Sequence, residues 1–195
     1  MKNAKRYYKG HLAMQCEEFH VIEGDCIGVF GDNGSGKSTL LRVLAGLTRL
    51  SHGSLQTEQA WRAARIAYSP QSGGLYGDLS VRENLKVFQR IFGSRSANRL
   101  SRDLWEATGL AQYADLKAQA LSGGFQKLAA IAAVLSAGAD ILILDEPSAD
   151  LSPVHMNSIT DIVSKIGEHY LAVVLSEHSP QVLGATKRTI ELRRA

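Results

Sequence analysis

A chain of 195 residues with 45% apolar content has room for one domain with a sizeable core and an inserted lobe, but not for a second full domain. Its 22 basic and 19 acidic residues leave a net charge of +3, too mild a balance to expect nucleic acid as a partner. No apolar run reaches the ~18 residues that a bilayer span requires, and the first ten residues are basic without the apolar core of a signal peptide, so a cytoplasmic chain is expected.

The two cysteines, Cys16 and Cys26, lack C-x-x-C spacing and read as small buried hydrophobes rather than a disulfide framework or zinc site. The six histidines show no metal-ligand spacing. Lys2, Lys5, Arg6 and Lys9 crowd one end, and Lys187, Arg188, Arg193 and Arg194 the other. Both groups read as solvated ends, the alternative being attraction to an acidic membrane surface.

Taken in order, Leu12, Met14 and Cys16 alternate with polar residues after Tyr7, followed by Phe19, Val21 and a turn at Glu23-Gly24-Asp25. This predicts an antiparallel, hairpin-like entry. Tyr7 and Tyr8 lie ahead of it, where an aromatic ring either stacks on a nucleotide base or simply sits at a strand start.

The apolar run Cys26-Ile27-Gly28-Val29-Phe30 leads into residues 31–39, GDNGSGKST. The pattern G-x-x-x-x-G-K-[ST] is complete, with Gly31, Gly36, Lys37 and Ser38 in place, and an apolar-periodic helix (Leu40, Leu41, Val43, Leu44) follows. Glycines let the backbone wrap until its N–H groups face phosphate oxygens, and the helix start adds its positive dipole end. Asn33, Gly34, Ser35, Gly36, Lys37, Ser38 and Thr39 are therefore the expected phosphate-binding residues. Lys37 would neutralise the β- and γ-phosphates while the Ser38 hydroxyl helps hold Mg²⁺.

After that helix, Gly46 and Ser51-His52-Gly53-Ser54 break the pattern. Residues 65–69 (Arg-Ile-Ala-Tyr-Ser) read as a short strand that delivers Gln71 to its end, where α/β sheets place ligand-facing groups. A capping box with Ser80 as N-cap and Glu83 at N3 opens an amphipathic helix (Val81, Leu85, Phe88, Phe92) that Gly93 stops. A second helix is expected from Asn98 to Thr108, closing at Gly109. Residues 72–120 thus read as a helical lobe inserted into an α/β domain.

Leu121-Ser122-Gly123-Gly124 opens a small-residue, apolar helix, and its start is a second anion-binding arrangement. Ile141-Leu142-Ile143-Leu144 reads as a buried parallel strand delivering Asp145 and Glu146. Two carboxylates at such a tip are costly unless they meet a cation or work on a proton. With a phosphate loop in the same chain, Asp145 is the natural Mg²⁺ partner, and Glu146 the acceptor of a proton from attacking water. A helix follows with Ser152 as N-cap and Pro153 at N1. The next buried strand, residues 171–175, brings His178 to the same face. Ser179-Pro180 starts a short helix, and residues 189–192 form a final edge strand.

Together GDNGSGKS, SPQ at Gln71, LSGG at residues 121–124, ILILDEP at residues 141–147 and His178 resemble the complete ordered motif set of ABC-type ATPases, the nucleotide-binding subunits of ABC transporters. The resemblance spans nearly the whole chain. It implies an α/β fold with a RecA-like phosphate-loop core, a mostly parallel sheet, a small antiparallel N-terminal β subdomain and the inserted helical lobe. It implies ATP and Mg²⁺ as cofactors, and ATP hydrolysis. Tyr8, 29 residues before Lys37, matches the family's adenine-stacking aromatic. Gln71 is similar to the glutamine that touches Mg²⁺ and attacking water. Glu146 resembles the catalytic base, and His178 the histidine on the γ-phosphate. Ser122, Gly123 and Gly124 would act on nucleotide held by a second ABC ATPase chain, identical or not.

The implied partners are therefore that second chain and integral membrane transporter subunits docked near Gln71 and Leu75-Tyr76, on the cytoplasmic face of the membrane. Residues 79–85 and the compact length look more like exporter ATPases, including the haem-exporter type, than nutrient importers. The alternative is a soluble ABC ATPase switching a nucleic-acid or ribosomal partner, although the second ATPase unit or long insertions usual there are lacking. Three positions depart from the family pattern. Ser152 stands where an aspartate is usual, Phe125 where a glutamine follows LSGG, and Leu128 where a basic residue is usual. The chain is also expected to lack a regulatory C-terminal domain.

Overall fold

The computed structural model describes residues 1–93 and 99–194. Its strands are β1 (Lys2–Tyr8), β2 (His11–Glu18), β3 (Asp25–Phe30), β4 (His52–Ser54), β5 (Ile66–Ser69), β6 (Ile141–Asp145), β7 (Ala172–Ser176) and β8 (Arg188–Glu191). Its α-helices are α1 (Lys37–Leu44), α2 (Gln59–Arg62), α3 (Val81–Phe92), α4 (Arg99–Ala107), α5 (Gly123–Ser136), α6 (Pro153–Ile166) and α7 (Pro180–Gly184).

Strands β5-β6-β7-β3-β8 form one parallel sheet in that order. Every residue of β6 and β7 is buried, as expected of a sheet covered on both faces. The two-residue period of a strand sorts their side chains. Leu142, Leu144, Val173 and Leu175 join the core beneath α4, α5 and α6, while Ile143 and Val174 join Ile27, Val29, Leu40 and Leu41 on the α1 side. The α/β class and mostly parallel sheet are as the sequence implies. The register pairs Asp145 with Ser176 and Ser176 with Val29, so β3, β6 and β7 end together and their following loops share one edge.

Helix α5 is buried along residues 127–136 and packs against α3 and α4. Helix α3 starts and stops as the sequence predicts. Ser80 accepts the Glu83 N–H at 3.2 Å, the Glu83 carboxylate accepts the Ser80 N–H at 2.8 Å, and Gly93 ends it in the left-handed region. Helix α4 falls within its expected span, whose first residue, Asn98, lies outside the described residues.

The second sheet, β2-β1-β4, is antiparallel, and there one expectation is extended and one corrected. The basic N-terminal residues, Lys2 and Lys9 exposed as expected, are also part of a strand and its turn: Lys2, Lys5 and Arg6 belong to β1, joined to β2 by a two-residue turn in which Lys9 and Gly10 both have positive φ, 49° and 82°. Ala4 is the one fully buried side chain of the strand, so apolar alternation is too sparse to announce it. The apparent break at Ser51-His52-Gly53-Ser54 contains β4, with three exposed residues whose ladder to β1 is a backbone property. At the other end Arg188 is not free: its guanidinium bonds Asp25 at 2.7 and 3.2 Å, while Lys187 donates to the Gly24 carbonyl at 2.6 Å.

Candidate active site

The loop leaving β3 depends on glycine at two points. Gly31 has φ +150°, and a Cβ there would lie 2.2 Å from the Leu192 carbonyl oxygen; Gly36 has φ +98°, and a Cβ there would lie 2.4 Å from the Ala13 carbonyl oxygen. The chain thus passes against β2 and enters α1 without a side-chain cap, leaving first-turn N–H groups for an anion. The Lys37 ammonium is buried and donates to the carbonyls of Gly31 at 2.8 Å and Asp32 at 3.1 Å, spanning its own loop.

A cleft of about 720 Å³ opens over this loop, lined by Ala13, Asn33, Gly34, Gly36, Lys37, Ser38, Thr39, Gln71, Glu146 and His178. Of the expected phosphate-binding residues 33–39, Ser35 is the one outside the lining. Its N–H closes a turn onto the Asp32 carbonyl at 3.1 Å, and its buried hydroxyl has no hydrogen-bond partner among the described residues.

Asp145 ends β6 only 3% exposed. Its Oδ1 accepts the hydroxyls of Ser38 (3.0 Å) and Ser176 (2.7 Å), and its Oδ2 accepts that of Tyr68 (3.0 Å). Among the described residues no basic side chain pairs with it. Burial, then the Asp145 charge, push the Tyr68 hydroxyl up to about 12, although a hydrogen bond from Arg42 pulls the other way. Tyr68 therefore stays a donor. A buried carboxylate that shares one oxygen with a hydroxyl from the phosphate loop is a hard-oxygen pair of the kind Mg²⁺ takes alongside phosphate and water. The donor set fits that ion.

The next residue, Glu146, turns the chain at φ +50°, a region unusual for anything but glycine, asparagine or aspartate. Its N–H is held by the Ser176 hydroxyl at 2.9 Å and the Ser176 carbonyl at 3.2 Å. Its carboxylate accepts the Gln71 amide at 2.6 Å and lies 3.5 Å from His178 Nε2. Two groups from two other strand ends, Gln71 and His178, thus meet at this one carboxylate, beside the phosphate loop.

Two further residues hold this arrangement. Lys127 of α5, 7% exposed, donates to the carbonyls of Gln71 (2.7 Å) and Glu146 (2.9 Å). Burial lowers its pKa, opposed by the charges of Glu146, Asp150, Asp145 and Glu177. Glu177, 3% exposed, accepts the N–H groups of His178 (2.7 Å), Ser179 (3.0 Å) and Ser148 (3.2 Å), tying the His178 loop to the turn after Glu146. Sequence reading looks for a basic residue at Leu128, which is fully buried in the core, and passes over its neighbour. The signal was a lone lysine in an otherwise apolar, small-residue helix.

Ser122 and Gly123 are exposed at the start of α5, and with Gly124 they lie outside the cleft lining. Ser122 is the N-cap there, and its side chain makes no capping hydrogen bond to α5. Phe125 packs between Tyr113 and His155, with ring centroids 4.6 and 5.0 Å away, and Ser152 caps α6 by accepting the His155 N–H at 3.4 Å. Tyr8, at the end of β1, is 39% exposed and carries the Arg6 guanidinium 4.5 Å from its ring centre. It too lies outside the cleft lining.

A family profile described as ABC transporter matches residues 15–149. The Nod factor export ATP-binding protein I of Cupriavidus metallidurans is 34% identical over 187 residues, covering 91% of this chain and 62% of that protein. The protein of the same name from Ralstonia nicotianae is 36% identical over 187 residues, covering 91% of this chain and 58% of its own length. The chain therefore spans less than two thirds of the length of these relatives. Among solved structures, a dimeric ATP-binding cassette in a post-hydrolysis state bound to ADP and Pi matches with a TM-score of 0.82 at 25% identity, over 98% of this chain and 92% of that one.

Proposed function

The chain belongs to the ABC transporter family, and from that premise we propose that it is the ATP-hydrolysing subunit of a membrane transporter. The observation that carries this reading is the convergence of Gln71, Glu146 and His178 on the cleft lined by residues 33, 34 and 36–39. The backbone N–H groups at the start of α1 and the Lys37 ammonium bind the β- and γ-phosphates of ATP. Ser38, Asp145 and Gln71 would hold Mg²⁺, which would supply charge neutralisation at the phosphate oxygens. The Glu146 carboxylate takes a proton from the attacking water, which the Gln71 amide helps orient, and His178 donates to the γ-phosphate. Tyr8 stacks on adenine.

Ser122, Gly123 and Gly124 are exposed and outside this chain's own cleft, which supports their acting on nucleotide held by a second ABC ATPase chain. ATP between the two surfaces favours the closed pair, and loss of phosphate reopens it. The helical lobe, residues 72–120, passes that movement to integral membrane subunits seated near Gln71 and Tyr76, the latter 55% exposed. The subunit then works at the cytoplasmic face of the membrane, and the export named for its relatives favours an outward direction.

The test is a pull-down from native membranes of the Glu146→Gln chain with ATP present. Recovery of an integral membrane protein is expected. Recovery of soluble or ribosomal partners alone would overturn the transporter reading.

A further inference from the structure

We propose that Lys127 is a positioning residue for hydrolysis, a clamp from α5 that holds the peptide of Glu146 and the loop of Gln71 in working register. The inference rests on the reading of Glu146 as the proton acceptor and adds a part to it.

Burying an ammonium is expensive unless it is paired and hydrogen-bonded. Lys127 is nonetheless buried, and its two close partners are main-chain carbonyls, those of Gln71 and Glu146, at 2.7 and 2.9 Å. Among the described residues it makes no direct ion pair. Carboxylates near it, Glu146 foremost, balance its charge through space, while its hydrogen bonds fix backbone.

The backbone it fixes is strained. Glu146 sits at φ +50°, and such a residue persists only where its surroundings over-determine it. Its N–H is anchored by the Ser176 hydroxyl from β7, and its C=O by Lys127 from α5. With both sides held, the side chain meets Gln71 Nε2 and His178 Nε2. Without Lys127 the Glu146 carbonyl keeps only the Ala149 N–H of its own turn, at 3.2 Å, and loses its tie to α5, so the turn relaxes toward negative φ and swings the carboxylate off the cleft.

The same ammonium ties the Gln71 loop, 56 positions away in sequence, to the same point. Lys127 lies little more than one helical turn from Gly123, where α5 begins. A shift at the Ser122 end of this rigid helix therefore reaches the catalytic carboxylate through one side chain.

The experiment compares the full chain with Lys127→Met, Lys127→Arg, Glu146→Gln and the double variant Lys127→Met/Glu146→Gln, following phosphate release and binding of a fluorescent ATP analogue. Lys127→Met is expected to lower kcat about tenfold or more with KM and analogue affinity within about threefold, and Lys127→Arg to restore kcat to within about threefold. Lys127→Met is expected to add no further loss to Glu146→Gln, since both act on one step. An unchanged kcat in Lys127→Met would overturn the proposal. So would a parallel loss of kcat and analogue affinity in both Lys127 variants, or a further loss in the double variant. Should Lys127→Met fail to melt cooperatively, Lys127→Gln, uncharged and one atom too short to span both carbonyls, takes its place with the same expected split. Normal turnover by Glu146→Gln would instead refute the base assignment, an outcome distinct from failure of the clamp.

Discussion

Replacing Tyr68 with Phe removes one hydroxyl and little volume, and with it the bond to Asp145 and the one from Arg42. The Tyr68 hydroxyl donates to Asp145 Oδ2 at 3.0 Å, while Ser38 and Ser176 occupy Oδ1. With the carboxylate 3% exposed, water does not readily replace the lost donor. A hydrogen bond to a charged group contributes about 1.5–3 kcal/mol, and each kcal/mol shifts the midpoint of a domain of this size by about 2–4 °C. Urea and thermal unfolding without nucleotide should therefore show a loss of about 1.5–3 kcal/mol and about 3–12 °C. Because the Tyr68 pKa is pushed up to about 12, the hydroxyl remains a donor at neutral and mildly alkaline pH, and the loss should be constant there. A loss below about 0.5 kcal/mol, the range of surface substitutions, would refute the view that Asp145 is held in place by hydroxyls.

Glu177→Gln should be costlier than its size suggests. The carboxylate accepts three N–H groups on two oxygens, and an amide turns one acceptor into a donor facing a donor. The expected loss is about 1–3 kcal/mol in urea unfolding, with kcat falling and ATP affinity retained in steady-state and binding assays. A second expectation concerns acid. Burial pushes the Asp25 carboxyl up, but the Arg188 guanidinium and the Ile22 N–H outweigh it and hold the group below its usual range. A folded pKa below the unfolded value, about 3.9, gives stability that is present above that pH and lost as pH falls through the folded value. The Tm advantage over Arg188→Met should thus be full near neutrality and shrink in acid. An advantage that grows on acidification would show the sign to be wrong.

The cleft was legible in the sequence where chemistry is local. The phosphate loop announces itself because Gly31, Gly36, Lys37 and Ser38 must sit at fixed offsets, and the apolar runs of β3, β6 and β7 have few other uses than a covered parallel sheet. Gln71, Glu146 and His178 could be grouped before any coordinates because each follows such a run, and parallel strands end on one edge. What stayed hidden depends on distant pairings. β1 is polar but for few positions and β4 is three exposed residues, so their identity lies in the ladders that β1 makes with β2 and β4. Tyr68 and Asp145 are 77 positions apart, and Lys127 and Gln71 are 56 apart. No spacing rule links either pair. Glu177 looked like a polar residue before a histidine, and only its burial against three N–H groups reveals a brace.

The whole account turns on Glu146 as proton acceptor. Its most direct test measures phosphate release from saturating Mg·ATP by the unaltered chain and by Glu146→Gln, with equilibrium ATP binding determined for both. Turnover should fall by about 10²–10⁴-fold, the contribution of a positioned general base, while the Kd for ATP stays within about threefold because Lys37 and the N-terminal turn of α1 are untouched. Turnover that survives the substitution, or that vanishes only because ATP no longer binds, would contradict it.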